Sequence, residues 1–199
     1  MALVIVHAVN PWGFDWCRRC DEQGIDINRN FVDFSQPLPR NDGYRDLADA
    51  LIPADGNWQQ ADVRLAQYRA QVGQFAYEIA ASGGQYEFSA GLFYGGNGPA
   101  QARRNLEWVL NRWDWANREV AVIDLHTGLG PYGYGELICD HPLGSEGLLT
   151  ARRWFGASVT VPEEGNSCSV PKLGLVDYAW HAILGRNSCY VTLEYGTFP

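Results

Sequence analysis

Three short segments hold the residues whose types and spacing could do chemistry. The first runs Arg18-Arg19-Cys20-Asp21-Glu22-Gln23-Gly24-Ile25-Asp26-Ile27-Asn28-Arg29-Asn30-Phe31. Its Arg and Asn side chains offer planar donors that suit a carboxylate bound in bidentate fashion. The second is Val122-Ile123-Asp124-Leu125-His126-Thr127-Gly128, where His126 closes an apolar run just before a Gly-rich stretch. A neutral imidazole in that position can ligate a metal or act as a general base. Asp124, two residues earlier, falls on the same side of a strand. The third is Val191-Thr192-Leu193-Glu194-Tyr195-Gly196-Thr197. A Glu inside an apolar strand is costly to bury, and burial raises its pKa toward the range a general base needs. Each segment alone also fits a plainer reading: a solvated loop with Asp–Arg pairs, a structural His at a strand end, a buried ion pair.

These segments need a scaffold, and the rest of the sequence describes one. Of the 199 residues, 46% are hydrophobic and 19% charged, the balance of a folded domain with room for a sizeable core. Leu3–Val9 is nearly all apolar and reads as a strand buried on both faces, ended by Asn10-Pro11-Trp12-Gly13. Residues 36–57 read as loop with a short helix near Asp46–Leu51. Trp58–Ala81 repeats apolar residues at helical spacing and stops at Gly83-Gly84. Pro99 opens a helix through about Ala116. Val120–Leu125 reads as a short buried strand, Thr127–Gly135 as a loop and Glu136–Cys139 as a strand. Helices follow at Leu148–Phe155 and Leu173–Leu184, and a last strand at Cys189–Tyr195. Alternation of this kind predicts an α/β fold, a mixed and mostly parallel sheet with helices on both faces. No repeat or linker divides the chain, so residues 1–199 read as one domain.

The formal net charge of -8 argues against nucleic acid, which needs a basic face. No run is apolar enough for a membrane span, and the opening residues lack the basic leader of a signal peptide, so a cytoplasmic location is expected. Five Cys at scattered spacing do not describe a disulfide framework. Cys17-Arg-Arg-Cys20 has metal-like spacing but no second CxxC completes it, and ordinary thiols are the expectation.

Taken together, Asp26-Ile27-Asn28-Arg29-Asn30-Phe31 with the Arg pair upstream of it, Asp124-Leu125-His126-Thr127-Gly128 and Leu193-Glu194-Tyr195-Gly196-Thr197 resemble the zinc carboxypeptidase superfamily. The chain is most similar to a bacterial branch of predicted metallopeptidases. That likeness extends to His7-Ala8-Val9-Asn10-Pro11-Trp12-Gly13-Phe14, Gly84-Gln85-Tyr86 and Gly91-Leu92-Phe93-Tyr94-Gly95-Gly96, so it runs along nearly the whole chain.

The resemblance implies a zinc-dependent hydrolase of a peptide or amide bond next to a free carboxylate. It implies that His126 is a zinc ligand and that Glu194 is the general base. Asn28 and Arg29 would hold the substrate's carboxylate, and Arg19 would polarise the scissile carbonyl, with Arg18 nearly as well placed. The substrate would be a small peptide or an acylated amino acid, since relatives that deacylate N-acyl amino acids share the same pattern. One departure stands against this. The family takes two further zinc ligands from a His-x-x-Glu motif, and no His-x-x-Glu occurs in the chain. The expectation is therefore a polypeptide truncated at both ends relative to that family, binding catalytic zinc weakly or not at all, with self-association through surface that truncation exposes. The competing expectation is a non-catalytic domain that keeps the carboxylate clamp.

Overall fold

A computed structural model of the protein describes residues 2–197. The chain divides into two compact units, one of Met1–Leu110 with Lys172–Val176, the other of Asn111–Pro171 with Asp177–Pro199.

The first unit is helical and rich in loops. Asn10 caps α1 (Pro11–Asp15), its side chain accepting from the Gly13 amide at 3.0 Å. Asn41 caps α2 (Asp42–Leu51) in the same way, 2.9 Å from the Tyr44 amide. The Asn41 amide also donates to the carbonyls of Ala80 and Gly84, which ties α2 to the end of α4 (Gln74–Ser82). Tyr44, Leu47 and Ala50 recur on one face of α2 and are buried. Each of the two larger ones contributes about 1.5–3 kcal/mol by leaving water. The long amphipathic stretch from Trp58 is two helices, α3 (Trp58–Val72) and α4, rather than one. Gly73 separates them at φ +85°, a backbone conformation outside the helix that glycine adopts without strain. The helix expected from Pro99 is shorter as well, α5 at Gln101–Leu110.

The second unit carries an α/β fold with an open four-stranded sheet, mixed and mostly parallel, as the alternation of elements predicts. Its strands are β1 (Ala121–Tyr132), β2 (Gly135–Ile138), β3 (Val159–Thr160) and β4 (Cys189–Gly196). They lie in the order β1-β4-β2-β3, with β1 and β4 parallel, β4 and β2 antiparallel, and β2 and β3 parallel. Cys189, Tyr190 and Val191 make β4 the buried strand. Leu148 and Ala151 of α6 (Glu146–Phe155) pack with Cys139, Val159, Val161, Cys189 and Val191 into the core of this unit.

Four further expectations change. Leu3–Val9 forms no strand; Leu3 and Ile5 are 81% and 76% exposed. Apolar residues make a strand only where a neighbouring backbone takes up their hydrogen bonds, and no described strand pairs with them. Instead of a short buried strand, β1 is long and lies at the sheet's edge, so Ile123 and Leu125 stay exposed. It also runs on through the Gly-rich stretch expected as a loop, with a register break between Thr127 and Tyr132. Finally, the helix expected over Leu173–Leu184 shrinks to α7 (Asp177–His181). The residues before α7 bond elsewhere: the Leu173 amide to the Gly83 carbonyl, the Gly174 carbonyl to the Phe31 amide, and the Val176 amide to Asn28 Oδ1.

Candidate active site

Parallel pairing of β1 with β4 sets Asp124 beside Thr192 and His126 beside Glu194. Residues in register share a face, and period 2 puts Tyr190 on that face as well. His126 Nε2 lies 2.9 Å from Asp124 Oδ2, and the Tyr190 hydroxyl donates to the same oxygen at 2.5 Å. On the other side of the ring, Nδ1 is 3.8 Å from Glu194 Oε2. Glu194 is 5% exposed, and its Oε1 accepts from the Leu129 amide at 3.1 Å. That donor comes from the break in β1, so the glycines around it turn a backbone N–H onto the buried carboxylate.

Burial alone would raise the Asp124 pKa. The hydrogen bond and charge of His126, with the Tyr190 hydroxyl, outweigh it and hold Asp124 below the usual carboxylate range. Burial and the neighbouring Asp124 push the Tyr190 phenol well above its ordinary value, so it keeps its proton.

The Arg-rich segment lies in the first unit and organises around Asp26. Asp26 Oδ1 accepts from the Asn28 amide at 3.0 Å, and Oδ2 takes Arg19 Nε at 2.8 Å. Arg18 and Arg19 are exposed, whereas Asn28 is half-buried, its Oδ1 accepting from the Val176 amide. Arg29 is 0% exposed. Its guanidinium donates from Nη2 to the Ser82 carbonyl at 2.8 Å and from Nη1 to the Asn28 carbonyl. The guanidinium carbons of Arg19 and Arg29 stand 5.2 and 5.3 Å from the centre of the Phe93 ring.

The residues expected to do chemistry thus form two local groups: His126 and Glu194 with Asp124 in the second unit, and Arg18, Arg19, Asn28 and Arg29 in the first. Sequence reasoning passed over Tyr190, although its position four residues before Glu194 on one strand was a usable signal. It also passed over a pair of stacked imidazoles in the second unit, His141 and His181, whose ring centres are 3.7 Å apart. Burial lowers His141 to about 4; burial and then the charge of His141 lower His181 to about 3. His181 Nε2 lies 3.5 Å from Asp177, whose own pKa burial and Asp140 raise well above the ordinary value. These residues are divided between the bend after β2 and the short helix α7, so no spacing announces them.

Among the described residues, no group of three or more His, Cys, Asp or Glu side chains is arranged to hold a metal ion. His126 has Asp124 against Nε2, and Glu194 is its nearest carboxylate on the other side. The residues present therefore do not complete the three-ligand zinc site that the resemblance implies. None of the five Cys is in a disulfide. Burial pushes Cys139 up to about 12 and Cys189 up to about 11, so both stay protonated and inert.

Fold and site together define an α/β protein with a His–carboxylate cluster on paired parallel strands. The family model described as protein of unknown function (DUF2817) matches residues 1–199, and the chain belongs to that family. No curated protein and no solved structure matches it. No helix among the described residues is long and apolar enough to cross a membrane.

Proposed function

We propose that this protein is a hydrolase of the metallocarboxypeptidase type, cleaving a peptide or amide bond next to a free carboxylate. The observation that carries the reading is Glu194: a carboxylate 5% exposed, one oxygen held by the Leu129 amide, the other turned toward His126. A carboxylate so held is fixed in orientation and keeps one oxygen available for a proton. Glu194 would take the proton of an attacking water and return it to the leaving amine, as a general base and then acid. Metal chemistry, if the reaction uses it, calls for ligands besides His126. Within the first unit, Arg18 and Arg19 are the exposed cations of the Arg-rich segment, and Arg19 is paired with Asp26. The buried Arg29 supports a scaffold role, with its donors on the Ser82 and Asn28 carbonyls.

A second reading, a carboxylate-binding domain without catalysis, is favoured by the lack of a complete metal-ligand group among the described residues. One experiment separates the two. The purified chain is incubated with N-acyl amino acids and short peptides, with and without added zinc, and amine release is followed alongside calorimetric binding. Release by the wild type that Glu194→Gln abolishes supports the hydrolase. Binding without release supports the second reading, and neither binding nor release overturns both.

A further inference from the structure

The His126 ring has two different neighbours, and their chemistry decides which nitrogen carries the proton. Asp124 is a carboxylate, and at neutral pH a carboxylate accepts hydrogen bonds without donating them. The Tyr190 hydroxyl already donates to Asp124 Oδ2 at 2.5 Å. The same oxygen lies 2.9 Å from His126 Nε2, and a contact that short requires a hydrogen on the nitrogen. In the neutral ring Nδ1 is then the acceptor nitrogen, and it faces Glu194 Oε2 at 3.8 Å.

We infer that Asp124 and Tyr190 are the positioning residues of this site: together they fix His126 as the Nε2–H tautomer and present Nδ1 on the Glu194 side. The device is braced from behind. The Tyr190 backbone amide donates to His141 Nε2 at 3.1 Å. The His141 ring is in turn pressed against Gly147 in the first turn of α6, where an added Cβ would stand 2.3 Å from ring atoms. Contacts therefore run from Gly147 through His141 to the backbone of β4, and from the Tyr190 phenol through Asp124 to His126. Tyr190 itself is 4% exposed, so its hydroxyl has little freedom to turn away. The consequence for turnover rests on the hydrolase reading; the tautomer does not.

The test is long-range proton–nitrogen NMR on chain labelled with nitrogen-15 histidine, in mildly alkaline buffer. The chain has four His, and His126→Gln identifies the signal. The expected wild-type result is one tautomer, protonated at Nε2. Asp124→Asn can turn its amide N–H toward the ring, which then accepts at Nε2, so the signal is expected to move to the Nδ1–H form. Tyr190→Phe removes one hydroxyl, keeps the ring in the core, and is expected to give a mixture of tautomers. If the cluster hydrolyses amides, both variants should lower kcat on the order of tenfold or more with KM little changed, because both residues act through the His126 ring. A wild-type His126 protonated at Nδ1, or a tautomer unmoved in both variants, overturns the inference. The expected tautomers in a chain that turns over no amide would leave this inference standing and remove the hydrolase reading alone.

Discussion

His126 and Glu194 occupy facing positions on the parallel strands β1 and β4, with the imidazole Nδ1 3.8 Å from the carboxylate Oε2. In-register neighbours on parallel strands share a face, so the pairing itself brings the two side chains together. The rest of the cluster refines that meeting: the Leu129 amide steadies the carboxylate and Asp124 steadies the ring.

Replacing Glu194 by Gln tests the role of that carboxylate. Gln keeps an acceptor for the Leu129 amide and nearly the same volume, so the unfolding midpoint should move little. Hydrolysis of an N-acyl amino acid should fall by about 10²–10⁴-fold, the share a general base supplies. Rates and urea melts on the same preparation check both halves.

Arg29 and Arg19 should respond very differently to Ala. Arg29 is fully buried, and its loss leaves the Ser82 and Asn28 carbonyls without their donors, at a cost of about 3–5 kcal/mol. Arg19 pairs with Asp26 while its side chain is 56% exposed, so its removal should cost about 1 kcal/mol or less. Chemical denaturation of the two variants gives the comparison. Equal losses would mean that Arg29 is not the buttress its contacts describe.

The stacked imidazoles predict acid sensitivity. His141 and His181 titrate at about 4 and about 3 in the folded chain, below the ordinary 6.5 they regain on unfolding. Between those values the unfolded state binds more protons, so this stability is present above pH 6.5 and is lost as pH falls toward 4 and 3. The loss should be on the order of 2 kcal/mol over that window. Asp177, raised by burial, acts in the opposite sense: as pH rises above its ordinary 3.8, the unfolded chain sheds its proton first. Urea midpoints measured against pH should therefore decline on the acid side. His181→Gln should flatten that decline.

Gly174→Ala tests the turn that anchors residues 172–176. Gly174 sits at φ +63°, and an added Cβ would stand 2.2 Å from the Arg29 carbonyl oxygen. That backbone cannot yield as a flexible side chain would. Thermal unfolding should show a loss of about 2 kcal/mol or more, and a neutral substitution would refute the tight packing of this turn.

How much of this the sequence displayed depends on the range of the interaction. The alternation of elements led to the α/β sheet because it is a local signal, whereas the helix starts capped by Asn10 and Asn41 were read as turn and loop. His126, Asp124 and Glu194 stood out as polar residues on apolar strands, and the pairing of β1 with β4 puts them together. Arg29 looked like a ligand-binding cation because residue type says nothing about burial; only the surrounding fold closes over it. Leu3–Val9 looked like a buried strand for the same reason, since hydropathy cannot supply a hydrogen-bonding neighbour. Tyr190 shares a strand face with Glu194 by its spacing, but a Tyr in a strand is ordinary until its hydroxyl is found on a carboxylate.

The position of β4 between β1 and β2 has a consequence for how the second unit is made. Leu129 and Glu194, which meet in the cluster, are 65 residues apart in the chain. During synthesis β1 and β2 emerge well before the strand that joins them, and β1 has β4 as its described partner. Until β4 arrives, the edge of β1 that β4 covers in the fold is open, the kind of surface on which nascent chains associate. Closure over so long a loop is slow, so the order of emergence makes the arrival of β4 the step that pairs one edge of β1 and brings Glu194 to His126 in the same event.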